Sequence, residues 1–173
     1  QARRMEVYAA QVDRMDQGIG RVIQTLKETD QLDNTLIFFL SDNGACAEEL
    51  HETDVKWIFK DRIAVAKTHD GQKVIFGNNP EIMPGNANTY QSYGQPWANV
   101  SNTPFREYKH WVHEGGIATP FIVHWPKGIK AHGELRHQPG QLPDIMATIL
   151  DVSGATYPVE FAGYKIHPLE GYS

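Results

Sequence analysis

The stretch that most limits what this chain can become is residues 35–44, TLIFFLSDNG. An unbroken apolar and β-branched run this short, halted by glycine, predicts a strand covered on both faces. Such strands belong to parallel sheets flanked by helices, and in open sheets of that kind ligands bind just past the carboxyl ends of the strands. Asp42 and Asn43 fall at that position. A carboxylate and an amide are hard oxygen donors suited to Ca²⁺ or Mg²⁺. The plainer reading is an ordinary Asp-Asn-Gly turn, and only the surrounding chain decides between the two.

Upstream, residues 3–28 carry Tyr8, Val12, Met15, Ile19, Val22 and Leu26 at alternating steps of four and three, with Ile23 widening the stripe. That spacing predicts an amphipathic helix. Gly18 and Gly20 cost it helix propensity, about 1 kcal/mol each, and are expected to mark close approach to a neighbouring element. Helix, polar connector and strand make half of a βαβ unit. The predicted fold class is therefore α/β, a partial doubly wound and mainly parallel sheet with flanking helices.

Residues 45–101 read as a long loop-rich insertion. Val55–Ala66 is compatible with helix or strand, Asp70-Gly71 predicts a hairpin turn, and 78–97 is rich in Asn, Gly, Pro and Tyr, hence loop. Asn99-Val100-Ser101 is a formal glycosylation acceptor of little specificity. Further on, Phe121–Trp125 predicts a second buried-type strand, fed by the turn Glu114-Gly115-Gly116. Residues 143–150 predict a helix with Pro143 and Asp144 in its first turn and Ser153-Gly154 as its stop. The last 19 residues read as loop.

Of 173 residues, 40% are hydrophobic and 21% charged, the balance of a soluble globular chain. A net charge of −5 offers no basic patch, which argues against nucleic acid as a partner. The one cysteine, Cys46, rules out an internal disulfide or a CxxC pair. No apolar run has the length of a membrane span. The chain opens on Gln-Ala-Arg-Arg and closes on a loop, so both ends are expected to be interior to a longer polypeptide.

A second anchor joins Asp42-Asn43: Arg106 and Lys109. A hard cation can polarise an anionic oxyester, and a nearby Lys can offset charge on a bridging oxygen. With these residues in view, five ordered segments resemble the type I sulfatases, the arylsulfatase family of the alkaline-phosphatase-like superfamily. They are residues 8–21 (YAAQVDRMDQGIGR), 38–45 (FFLSDNGA), 102–109 (NTPFREYK), 113–126 (HEGGIATPFIVHWP) and 142–154 (LPDIMATILDVSG). Residues 93–106 (YGQPWANVSNTPFR) further resemble bacterial alkyl- and arylsulfatases.

The resemblance implies the later part of a single sulfatase catalytic domain over 1–173. Asp42 and Asn43 would form half of a Ca²⁺ site, with Asp42 also helping to deprotonate a formylglycine hydrate. Lys109 would contact the sulfate near its bridging oxygen, and Arg106 would shape the loop presenting it. Apart from the resemblance, His110 or His113 is expected to line the substrate mouth, a surface role being favoured over metal ligation for both. The substrate would be a sulfate-ester small molecule or glycan, and the compartment periplasmic, secreted or lysosomal, less often cytoplasmic.

The family's C/S-x-P-x-R nucleophile motif is absent. Cys46 is followed by Ala47-Glu48-Glu49, and Asn102 stands where Cys or Ser is needed ahead of Pro104 and Arg106. Formylglycine and the remaining metal ligands are therefore expected outside these residues, and the chain alone is expected to be inactive and to self-associate through exposed strand edges. The rival readings are a phosphodiester or phosphonate monoester hydrolase of the same superfamily and a non-catalytic, sulfatase-like binding module. His124 is expected in the core, and His51, His69, His132, His137 and His167 at the surface. Trp57, Trp97 and Trp111 are expected to serve core or loop packing.

Overall fold

The structure is a computed structural model that describes residues 1–51 and 66–173. The expectations for Trp57 and for residues 55–65 lie outside the described residues. The chain divides into two compact units, Gln1–Lys130 and Ala131–Ser173.

The first unit begins with helix α1, Ala2–Glu28, as the period of the apolar stripe predicts. Its start is tied to the loops of the insertion: Arg4 Nη2 donates to the Asn78 carbonyl at 2.9 Å, and the Trp97 indole to the Gln1 carbonyl at 3.0 Å. Tyr8 also meets Tyr93, ring centroids 4.6 Å apart. Farther along the helix Met15 and Val22 lie open, 54% and 61% exposed. Gly18 and Gly20 mark no close approach: a β-carbon on Gly18 would meet only the Arg21 side chain, and one on Gly20 would meet nothing within 4 Å. A one-turn 3-10 helix, Leu32–Asn34, leads into strand β1, Ile37–Leu40.

Strand β1 pairs with a strand at Phe121–His124, numbered β4 below, in the register Ile37↔His124 to Leu40↔Phe121. The pairing is antiparallel, where a mainly parallel sheet was expected. The reason lies in the intervening loops. The Gly44 amide donates to the Gly116 carbonyl at 3.1 Å, which brings the returning chain to the carboxyl end of β1. A strand that starts there has to run back along β1. Among the described residues the one parallel pair is short, β2 (Ile75–Phe76) with β3 (Thr89–Tyr90).

The covering of β1 and β4 also departs from expectation. Phe121 and Ile122 are 51% and 58% exposed, and His124 is exposed rather than in the core, because among the described residues β4 has a neighbour along one edge only. The buried apolar residues of this unit are Val74, Phe76 and Ala98, with Phe76 stacked on Tyr90 at 5.4 Å. Asp70-Gly71 does form the hairpin turn, Gly71 at φ 86° and Lys67 bridged to Lys73. Among the described residues the unit also holds helix α2, Gln95–Ser101, and a single turn α3, Glu114–Ile117.

The second unit holds helix α4, Leu142–Ser153, longer at both ends than expected. Its start is a capping box in which Asp144 Oδ2 accepts from the Gln141 amide at 2.8 Å, and Gly154 closes it at φ 67°. The final residues contain a hairpin where only loop was expected: β5 (Glu160–Phe161) pairs with β6 (Tyr164–Lys165). Ala162 and Gly163 at φ 50° and 82° make the turn, matching the positive-φ pair that two-residue hairpins favour. No helix among the described residues is long and apolar enough to cross a membrane.

Candidate active-site loops

Three segments meet beyond the carboxyl end of β1: the Ser41–Glu48 turn, the Asn102–His110 loop and the Glu114-Gly115-Gly116 turn. The contacts that join them are mostly backbone. Besides Gly44 to Gly116, the Lys109 amide donates to the Ala45 carbonyl at 3.1 Å and the Gly115 amide to the Arg106 carbonyl at 2.9 Å. Thr119 Oγ1 reaches the Ser41 carbonyl at 2.8 Å. Gly44, Gly115 and Gly116 are buried, and the close approach of the segments leaves no room for a side chain at any of them. A β-carbon on Gly44 would collide with the Gly115 carbonyl, and one on Gly116 with the Trp111 carbonyl.

Asn102 clamps two of the segments. Its Oδ1 accepts from the Ala45 amide at 3.2 Å, and its Nδ2 donates to the Glu107 carbonyl at 3.0 Å. In the sequence it is notable only as the wrong residue for a nucleophile. In the structure its side-chain amide accepts through one atom and donates through another, bridging the Ala45 amide and the Glu107 carbonyl.

Asp42 is exposed and Asn43 half-buried, and among the described residues neither side chain has a hydrogen-bond partner. Their donor chemistry suits a hard cation, yet Ca²⁺ takes six to eight oxygens. No group of three His, Cys, Asp or Glu among the described residues could hold a metal ion. The pair therefore fits one side of a cation site and does not complete it.

Lys109 Nζ donates to Glu48 Oε1 at 3.1 Å, and His110 Nε2 lies 3.0 Å from the same oxygen. The other oxygen, Oε2, accepts from the Cys46 thiol. Hydrogen bonds from Cys46, His110 and Lys109 hold the Glu48 carboxyl down to about 2. The Lys109 ammonium is raised, chiefly by its bond to Glu48 and more weakly by the charges of Glu48 and Asp42. Burial, and then the bond to Glu48, raises the Cys46 thiol, which keeps its proton as a donor.

The structure brings Lys109 and His110 together on Glu48, and ties Lys109 by its amide to Ala45, in the segment that also bears Asp42 and Asn43. The His113 side chain is exposed at the start of α3 and has no hydrogen-bond partner among the described residues. Arg106 is solvent-facing and pairs with Glu107 at 3.5 Å, while its carbonyl takes part in the loop contacts. Trp97 is half-buried, Trp111 is 49% exposed, and the five histidines expected at the surface are there.

A protein-family model described as Sulfatase matches residues 1–155. An uncharacterized sulfatase of Schizosaccharomyces pombe is 38% identical over 157 residues, covering 91% of this chain and 26% of that protein. The arylsulfatase of Klebsiella aerogenes is 33% identical over 174 residues, covering 99% of this chain and 34% of that protein. The steryl-sulfatase of Mus musculus is 29% identical over 151 residues, 87% of this chain and 18% of that protein. The chain thus spans about a fifth to a third of the length of these relatives. The family match over residues 1–155 establishes that the chain belongs to the sulfatase family.

Proposed function

We propose that this chain supplies one side of the active site of a sulfuric ester hydrolase of the arylsulfatase kind. The observation that carries the proposal is the backbone bond from Lys109 to Ala45, which ties a lysine to the segment bearing Asp42 and Asn43 in a chain of the sulfatase family. Asp42 and Asn43 would hold Ca²⁺, which when bound supplies positive charge to the ester oxygens. Lys109 donates to the sulfate near its bridging oxygen, where negative charge builds as the alcohol or phenol leaves. Asp42 would also help to deprotonate the attacking group.

That group, a formylglycine, is drawn from outside these residues, because no C/S-x-P-x-R sequence occurs in them. The 173-residue chain by itself therefore gives no turnover. The relatives' names, steryl-sulfatase and arylsulfatase among them, favour sulfate over phosphate esters. The test is hydrolysis of an aryl sulfate, an aryl phosphate diester and an aryl phosphonate by the full-length enzyme. Preference for the sulfate supports the proposal, and preference for either phosphorus ester overturns it. Turnover by the 173-residue chain alone contradicts the account of the nucleophile.

A further inference from the structure

We propose that Glu48 is a positioning residue that sets the direction of the Lys109 ammonium toward the sulfate ester. The proposal rests on the reading of Lys109 as a sulfate contact and extends it to a residue 61 positions away in sequence.

Both oxygens of Glu48 are engaged. Oε1 takes Lys109 Nζ at 3.1 Å and His110 Nε2 at 3.0 Å, and Oε2 takes the Cys46 thiol. Cys46 and His110 therefore hold the carboxylate on either side while it holds the lysine. An ammonium has three N–H donors, so one bond to Glu48 leaves two for an incoming sulfate oxygen.

The loop backbone is shaped for this contact. Lys109 and His110 are the two central residues of a turn closed by the Trp111 amide on the Tyr108 carbonyl at 3.2 Å. His110 adopts φ 86°, a left-handed conformation uncommon outside glycine, and from this turn both side chains reach the same Glu48 oxygen. The Lys109 amide is fixed on the Ala45 carbonyl, three residues before Glu48, so both partners of the ion pair are carried by the same pair of bonded segments. The carboxylate stays ionised far below neutral pH, held so by Cys46, His110 and Lys109.

A carboxylate beside a binding lysine also repels an anionic substrate, and the rival role for Glu48 is to mask Lys109. Kinetics of the full-length enzyme on an aryl sulfate separate the two roles. Lys109→Ala should lower kcat/KM by ~10²–10³-fold, the usual loss of one transition-state donor. Glu48→Ala should lower kcat by ~10–100-fold through misplacement of that donor. Glu48→Gln, which keeps the shape and one acceptor, should recover part of the loss and carries the test if Glu48→Ala does not fold. Glu48→Ala combined with Lys109→Ala should be no slower than Lys109→Ala, because the glutamate acts through the lysine. Losses that multiply in the double variant, an unchanged Glu48→Ala enzyme, or a faster one each overturn the proposal while leaving the sulfate role of Lys109 intact. An unaffected Lys109→Ala enzyme removes that role, and the proposal with it.

Discussion

Two sets of glycines in this chain look alike in sequence and live in opposite surroundings. Gly18 and Gly20 sit in α1 with space around them, and a β-carbon on Gly20 would touch nothing within 4 Å. Gly44, Gly115 and Gly116 are buried where three loops cross, each pressed against another segment's carbonyl group. The helix glycines only weaken a helix, whereas the loop glycines allow the loops to meet at all. The same contrast runs through the rest of this unit. The site loops are closed by backbone hydrogen bonds, while β4 and the middle of α1 leave apolar side chains in solvent. Among the described residues, then, the contacts that order the site are local backbone hydrogen bonds.

The largest effect that would break this contrast is expected at Gly44. Gly44→Ala forces a β-carbon onto the Gly115 carbonyl and should cost on the order of 3 kcal/mol, in the range of severe steric substitutions. Amide exchange at Gly44 and Lys109, whose hydrogen bonds close the loops, should accelerate together. Slow exchange in the variant would mean that the close approach is not what orders the site. Gly20→Ala should act in the opposite direction, raising stability by up to about 1 kcal/mol in thermal unfolding of this chain, since it gains helix propensity without a clash. A loss of stability would show that Gly20 is pressed against something after all.

A smaller effect is expected on acidification. Glu48 is held at about 2, below its ordinary value of 4.5, so its ion pairs contribute stability above pH 4.5. That contribution is lost as the pH falls from 4.5 through 2. Because the side chains of Glu48 and His110 are 46% and 65% exposed, its size should stay below about 1 kcal/mol. A carboxyl carbon resonance for Glu48 that titrates near 4.5 instead of near 2 would show that the contacts with Cys46, His110 and Lys109 do not persist in solution.

Sequence periodicity was a sound guide where a single element decides the outcome. The stripe from Tyr8 to Leu26 yields α1, and Pro143, Asp144 and Gly154 bound α4. The Asp42-Asn43 turn at the end of β1 follows from an apolar run stopped by glycine. What the sequence could not carry is pairing between distant segments. Strand direction depends on where the returning chain enters, and that is set by the bond from Gly44 to Gly116. The roles of Asn102 and Glu48 likewise arise from contacts 57 and 61 residues apart, with no local pattern to announce them. The hairpin at Ala162-Gly163 was hidden because alanine seldom takes positive φ.

In the proposed function, Asp42 and Asn43 would form one side of a cation site that the pair by itself leaves incomplete. Calcium titration of the 173-residue chain by calorimetry tests it directly. Two adjacent oxygen donors out of the six to eight that Ca²⁺ takes should give a dissociation constant weaker than ~1 mM, the weak end for protein calcium sites. Binding in the micromolar range or tighter, abolished by Asp42→Ala, would contradict the claim and show a complete site within this chain.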